Sequence, residues 1–305
     1  MAAVSNPLRR KSLLVVGCVL VGALAICWIA GTLWIRAREP EAEAALPAAF
    51  PGRVIEAGGR RVRILERGAG PAVLLVAGTG GSVANWPEPV IERLASSHHV
   101  IAVDLFGMGF SERSDDFKYG FALWSRQLGS VLDALGIERA SAVGHSLGGT
   151  VVIFFAANHP ERVDRIVLAG SAISIPWWFP VLMTPGAGEL YLASREVFGP
   201  TFSPAHRAQA LAAYRIRGTR AALLHYVRRS ILDARNLAPA VAAVRARALQ
   251  LHGTADEEVS LSAAERLRPQ LRDSRLVPIA GAGHFVMVDA PERFASEVAG
   301  FLASR

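Results

Sequence analysis

The segment Val143-Gly144-His145-Ser146-Leu147-Gly148-Gly149 sets a serine two residues from a glycine on each side, the Gly-x-Ser-x-Gly pattern of a nucleophile elbow. A tight turn there lifts Ser146 clear of the backbone, and Gly144 and Gly148 remove side chains that would collide with it. The apolar run Ala140 to Val143 precedes the pattern and the helix-prone run Thr150 to Ala157 follows it, which is the strand-turn-helix context an elbow requires. The first N–H groups of that helix aim at the reaction centre. Chance alone yields on the order of 0.1 such matches in a chain of this glycine content, so the context carries the weight.

A serine hydroxyl is a weak nucleophile at neutral pH and needs a base within hydrogen-bond reach, itself oriented by a third group. Of eight histidines, His284 is the best placed, in Ala280-Gly281-Ala282-Gly283-His284-Phe285 just past the last strand-like run. His145 adjoins the nucleophile and points elsewhere; His98, His99 and His252 belong to strand runs, His159 precedes Pro160, and His206 and His225 lie in a helical region. For the acid, Asp256 follows the run Ala248 to His252, whereas Arg165 to Ala169 ends in Gly170-Ser171 without a carboxylate. Glu257, Glu258 and Asp289 compete and read as surface or helix-terminus charges. The oxyanion donors are the Leu147 N–H and the Thr79 N–H of the loop Gly78 to Ser82. That loop lacks the Gly-Lys-Ser/Thr of a phosphate cradle and the spacing of a dinucleotide site, and no cluster has metal-ligand spacing, so no cofactor or metal is expected.

These residues need a scaffold that delivers them to one edge. Strand-like runs at Arg53 to Ala57, Arg61 to Glu66, Ala72 to Ala77, Val100 to Val103, Ala140 to Val143, Arg165 to Ala169, Ala248 to His252 and Arg275 to Ile279 alternate with helical patterns. The helical patterns lie at Glu88 to Ser96, Phe121 to Leu135, Thr150 to Ala157, Leu261 to Leu267 and Pro291 to Leu302. That rhythm predicts an α/β fold with a mostly parallel, doubly wound sheet. It breaks over residues 172–247, too long and too patterned for a loop, which predicts an inserted helical cap between core segments 53–171 and 248–305. In it, Trp177, Trp178 and Phe179, with Leu182 and Met183, are candidates for an apolar substrate pocket.

The chain of 305 residues is 51% hydrophobic, enough for a sizeable core. Its net charge of +7 is scattered and mostly arginine, so nucleic acid is not an expected partner. Both cysteines, Cys18 and Cys27, lie in the N-terminal apolar stretch. From Ser12 to Ile35 no residue is charged, and at about 1.5 Å per residue this run is about 36 Å long, more than a bilayer core. After a short basic segment (residues 1–11), it is expected to be an uncleaved transmembrane signal anchor, and residues 36–52 a linker. Arg9, Arg10 and Lys11 before the run, against Arg36 and Arg38 after it, favour a cytoplasmic N-terminus and an extracytoplasmic catalytic domain. Export after signal cleavage is the alternative; a twin-arginine signal and a lipoprotein cysteine at Cys18 fit the run's length less well.

The segments AGTGGSVANW (77–86), DLFGMGFSER (104–113), GHSLGG (144–149), HGTADEEV (252–259) and GAGHF (281–285) together resemble capped serine hydrolases of the α/β-hydrolase fold, over residues 53 to 303. The chain order Ser146, Asp256, His284 is that of the family. Serine at the elbow sets the chain apart from dehalogenases and epoxide hydrolases, which resemble it with aspartate there. The family often has His-Gly where this chain has Ala77-Gly78, and that histidine braces the oxyanion loop. The resemblance implies acyl transfer to water through an acyl-serine, with carboxylic esters as the expected substrates and lipid-like esters suggested by the anchor. Three alternatives stay open: a carbon–carbon bond hydrolase of ring-cleavage products, an aminopeptidase-like hydrolase, and a non-catalytic membrane-anchored binding protein on a hydrolase scaffold. Oligomeric state is left open by the sequence.

Overall fold

The computed structural model describes residues 7–41, 46–172 and 178–304. Helix α1 (Pro7–Arg38) precedes strands β1 (Arg53–Ala57), β2 (Arg60–Arg67) and β3 (Ala72–Val76). Helix α2 (Glu88–Ala95), β4 (His99–Val103), α3 (Phe121–Ala134), β5 (Ala140–His145), α4 (Leu147–Asn158) and β6 (Val163–Ala169) follow. The chain then leaves the sheet for α5 (Phe179–Met183), α6 (Ala187–Ala193), α7 (Pro204–Tyr214), α8 (Thr219–Ala234) and α9 (Leu237–Ala243). It returns through β7 (Arg247–Gly253), α10 (Leu261–Leu267), β8 (Ser274–Ile279), α11 (Val286–Asp289) and α12 (Pro291–Ala303).

The eight strands form one sheet in the order β1-β2-β4-β3-β5-β6-β7-β8, and β2 alone runs against the rest. Parallel strands are covered on both faces, so their residues are apolar on both. In β3, Leu74 and Val76 pack toward α3 and α4, while Val73 and Leu75 pack toward α2 and α12. Central β5 lies between β3 and β6, and its end carries the elbow into α4.

One polar pair sits inside this apolar frame. Arg63 on β2 and Asp104 at the end of β4 are both fully buried, with Arg63 Nη1 3.5 Å from Asp104 Oδ2. The Asp104 carboxylate accepts from the Val83 N–H (2.6 Å) and the Phe110 N–H (2.7 Å), so it ties together the loops after β3 and β4. Burial pushes Asp104 up from the usual carboxylate range against the pull of Arg63 and of those two N–H groups.

Helix α1 differs from the other helices. Val15, Val19, Val21, Ile26 and Ile29 are exposed, and the stretch Val15–Arg38 is apolar and long enough to cross a membrane by length and composition. Its C-terminal half lies on α6: a Cβ on Gly31 would meet the Glu189 Cβ at 2.6 Å, so the crossing requires glycine. The expected linker is corrected over its first residues. The helix continues through Arg38, and Glu39 and Glu41 bond to the helical insertion at Gly218, Arg220 and Arg215.

Replacing Arg63 with leucine strands the Asp104 carboxylate in the core and is expected to cost about 3–5 kcal/mol of stability. Chemical denaturation of Arg63→Leu checks this. Because protonation relieves an unpaired buried carboxylate, the loss should be smaller at pH 5 than at pH 8.

Candidate active site

Ser146 has φ +51° and ψ −120°, the one non-glycine positive φ among the described residues. Its N–H donates to the Ala169 carbonyl (2.9 Å) and its carbonyl accepts the Ser171 hydroxyl (2.8 Å), so neighbouring β6 pins the turn. No side chain fits beside it. A Cβ on Gly144 would stand 2.3 Å from the Gly148 carbonyl oxygen, and one on Gly148 would stand 2.1 Å from that of Val76.

His284 lies on the loop after β8, with Nδ1 2.9 Å from Asp256 Oδ2 on the loop after β7. The other oxygen of Asp256 accepts from the N–H groups of Glu258 (2.9 Å) and Val259 (2.8 Å), and His252 Nε2 stands 3.4 Å from Oδ2. Burial pushes Asp256 up, and the His284 hydrogen bond and charge, the Val259 N–H and His252 more than offset it, so the carboxyl sits below the usual range. The competing acids go elsewhere. Asp289 accepts the Gly283 N–H and shapes the histidine loop, and Glu257 is exposed. Glu258 is partly exposed, with Oε2 3.8 Å from His284 Nε2, the nitrogen left free by Asp256.

His145 packs against His284, ring centroids 4.9 Å apart, and its Nε2–H donates to the His284 carbonyl (3.0 Å). Burial, with the charge of His284, lowers its pKa from 6.5 to about 3, so it is neutral at neutral pH. Gly170 is a position that sequence reasoning missed: with φ +51°, a Cβ there would stand 2.6 Å from the His284 carbonyl oxygen and 3.5 Å from Asp256 Oδ2. Its only signal was a glycine following a strand run.

Ser146 and His284 line one cavity of about 370 Å³, together with Thr79, Trp178, Arg195 and Tyr214. Leu147 is the first residue of α4, and Thr79 lies in the loop after β3. That loop has a brace despite Ala77: Asn85 Oδ1 accepts the Ser82 N–H (2.7 Å), and Asp104 accepts the Val83 N–H. The expected aromatic pocket is corrected in part. Trp178 lines the cavity and Trp177 falls outside the described residues, while Phe179 starts α5 beside Trp178 and does not face the cavity, because the helix turns Leu182 and Phe179 into the core. Arg195, Tyr214 and Glu258 were not expected on the wall, since nothing local marks them.

Comparison with known proteins adds four findings. Residues 71–198 match the family described as alpha/beta hydrolase fold. The 2-hydroxymuconate semialdehyde hydrolase of Pseudomonas sp. (strain CF600) is 34% identical over 272 residues, covering 83% of this chain and 94% of that enzyme. Among solved structures, a variant of a meta-cleavage product hydrolase is 26% identical with a TM-score of 0.67, covering 83% of this chain and 98% of its own. A membrane phospholipase A described as a bacterial virulence factor is 25% identical with a TM-score of 0.65, covering 96% of this chain and 98% of its own. The expectation of carboxylic-ester cleavage is corrected by the two hydrolases of ring-cleavage products, which break a carbon–carbon bond and match along nearly their whole length. A serine with a histidine base and an orienting carboxylate suits both reactions, so the sequence motifs did not separate them.

The buried neutral His145 sets a pH dependence. Its folded pKa lies below its unfolded value, so stability is lost as pH falls from 6.5 toward about 3. From pH 7 to pH 5 this one group should remove about 2 kcal/mol. Urea unfolding of the wild type and of His145→Gln at the two pH values measures it, and the variant should lose less by that amount.

Proposed function

The chain belongs to the α/β-hydrolase fold family and is a hydrolase, and from that premise we propose that it hydrolyses a carbon–carbon bond in ring-cleavage products, dienoates with a 2-hydroxyl and a distal carbonyl. The observation that carries this reading is the 34% identity to 2-hydroxymuconate semialdehyde hydrolase across 94% of that enzyme.

The chemistry follows from the site. Ser146 Oγ attacks the distal carbonyl carbon as His284 takes its proton, and Asp256 at Nδ1 holds the imidazole and stabilises its cation. The N–H groups of Leu147 and Thr79 stabilise the oxyanion. When the tetrahedral adduct collapses, the bond from the former carbonyl carbon to the dienoate breaks. Ketonisation of the dienol beforehand moves the 2-hydroxyl proton to the carbon beside the distal carbonyl, so the departing electron pair delocalises into the 2-keto acid as a dienolate, whose oxygen takes the proton held on His284. Water, deprotonated by His284, then frees the acid from Ser146. The guanidinium of Arg195 on the cavity wall is the cation available to the substrate carboxylate.

In this proposal α1 anchors the enzyme in a membrane, N-terminus in the cytoplasm and hydrolase domain on the other side. Its length and composition support this, as does the likeness to a membrane phospholipase A along 96% of the chain. Carbonate extraction should leave the full-length protein in the membrane fraction, and its appearance in the soluble fraction at full length would refute the anchor.

Purified full-length protein is expected to bleach 2-hydroxymuconate semialdehyde and to turn over simple esters poorly. Ser146→Ala should lower kcat by about 10⁴-fold or more. Efficient turnover of esters with none of the dienoate would sink the carbon–carbon assignment.

A further inference from the structure

Glu39, the residue after α1, is buried at 2% exposure although it ends the most exposed helix of the chain. Its Oε1 accepts the Arg220 N–H (2.8 Å) and lies 3.2 Å from Arg220 Nη1, and its Oε2 accepts the Gly218 N–H (2.8 Å). Arg220, at 1% exposure, uses all five of its N–H donors. Besides Glu39 they reach the carbonyls of Leu192 (3.1 Å), Tyr214 (2.6 Å), Arg195 (3.0 Å) and Glu196 (3.1 Å). Arg195 and Tyr214 are cavity-wall residues, and the Tyr214 hydroxyl stands 3.4 Å from the Gly80 carbonyl, next to Thr79. A continuous set of buried polar contacts therefore runs from the end of the apolar helix to the wall of the cavity.

We infer that Glu39 is a positioning residue: through Arg220 it fixes the backbone at Arg195 and Tyr214, so that helix α1 sets the shape of the substrate cavity as well as the address of the chain. This requires Ser146 to be the reactive serine but does not depend on which bond is cut. The physical reason is that a guanidinium with every donor matched has one arrangement. Loss of the carboxylate frees one of the two Nη1 hydrogens and two backbone N–H groups, which loosens the hold of Arg220 on the segments at Arg195 and Tyr214.

The test labels Ser146 in full-length protein in detergent with a compact and a bulky fluorophosphonate and compares the two rates. In Glu39→Gln the bulky-to-compact ratio should change by about fivefold or more while the compact rate stays within about twofold of wild type. Gly31→Ala, which forces α1 away from α6 without touching the ion pair, should move the ratio the same way and decides the matter should Glu39→Gln fail to fold. Exposed Arg36→Ala is the control and should change neither rate. An unchanged ratio, or both rates falling together with a lowered Tm, would overturn the inference. So would absence of labelling in the wild type. Because no dienoate is used, the ratio says nothing of which bond is cut; only absence of labelling would also count against Ser146 as the nucleophile of the proposed reaction.

Discussion

The structure depends on one strained residue. Ser146 holds a left-handed φ that side chains avoid, at a cost of order 1–3 kcal/mol, and such a conformation persists only where its surroundings over-determine it. Here they do. The turn is bonded to β6 at Ala169 and Ser171, and the backbones of Gly144, Gly148 and Val76 approach to distances that admit no Cβ. That packing needs a central strand with a neighbour on each side, which is what a parallel sheet with β5 between β3 and β6 provides. The order of the strands thus follows from the needs of one turn as much as from the hydrophobic pattern.

A second constraint acts on the loops. Those that converge on the serine are tied by two buried carboxylates, Asp104 and Asp256, while a third carboxylate beside them, Glu258, stays solvated. Asp104 braces the loops after β3 and β4 from the core side, where it answers to Arg63. Asp256 holds His284 with a side chain fully withdrawn from solvent and both oxygens engaged. Glu258 keeps 37% side-chain exposure, with His284 Nε2 3.8 Å away. A carboxylate saturated with hydrogen bonds has one geometry and can orient an imidazole, whereas a solvated one samples many; this selects Asp256 over its neighbour as the orienting acid.

Much of this was legible because it is local. Apolar runs such as Ala72 to Ala77 marked the parallel strands, and the order of Ser146, Asp256 and His284 pointed to one edge of the sheet. The Arg63–Asp104 pair was not legible, since an arginine in an alternating run looks like a solvent-facing residue until its partner is known. Gly170 and Asn85 were also hidden: their roles come from residues far along the chain, His284 for one and the loop after β3 for the other. The bond to be cut was less legible still. The motifs suggest a nucleophile and its base, whereas Arg195 and Tyr214, which the irregular insertion brings to the cavity wall, carry no local signal.

That wall changes the meaning of the N-terminal helix. Read as sequence, an uncharged run is an address, separable from the domain it carries, and the charged residues after it are a tether. Glu39 and Glu41 do not behave as a tether. Glu41 pairs as a short parallel bridge with Ile216, and Glu39 is sequestered with Arg220, 181 positions away. A buried ion pair stabilises little by itself, because desolvation offsets much of the attraction, but breaking it is costly and it permits a single register. Placed between a membrane-length helix and the insertion that forms the cavity, such a pair makes the helix part of the hydrolase domain: the insertion cannot move relative to α1 without exposing a charge to a dry interior.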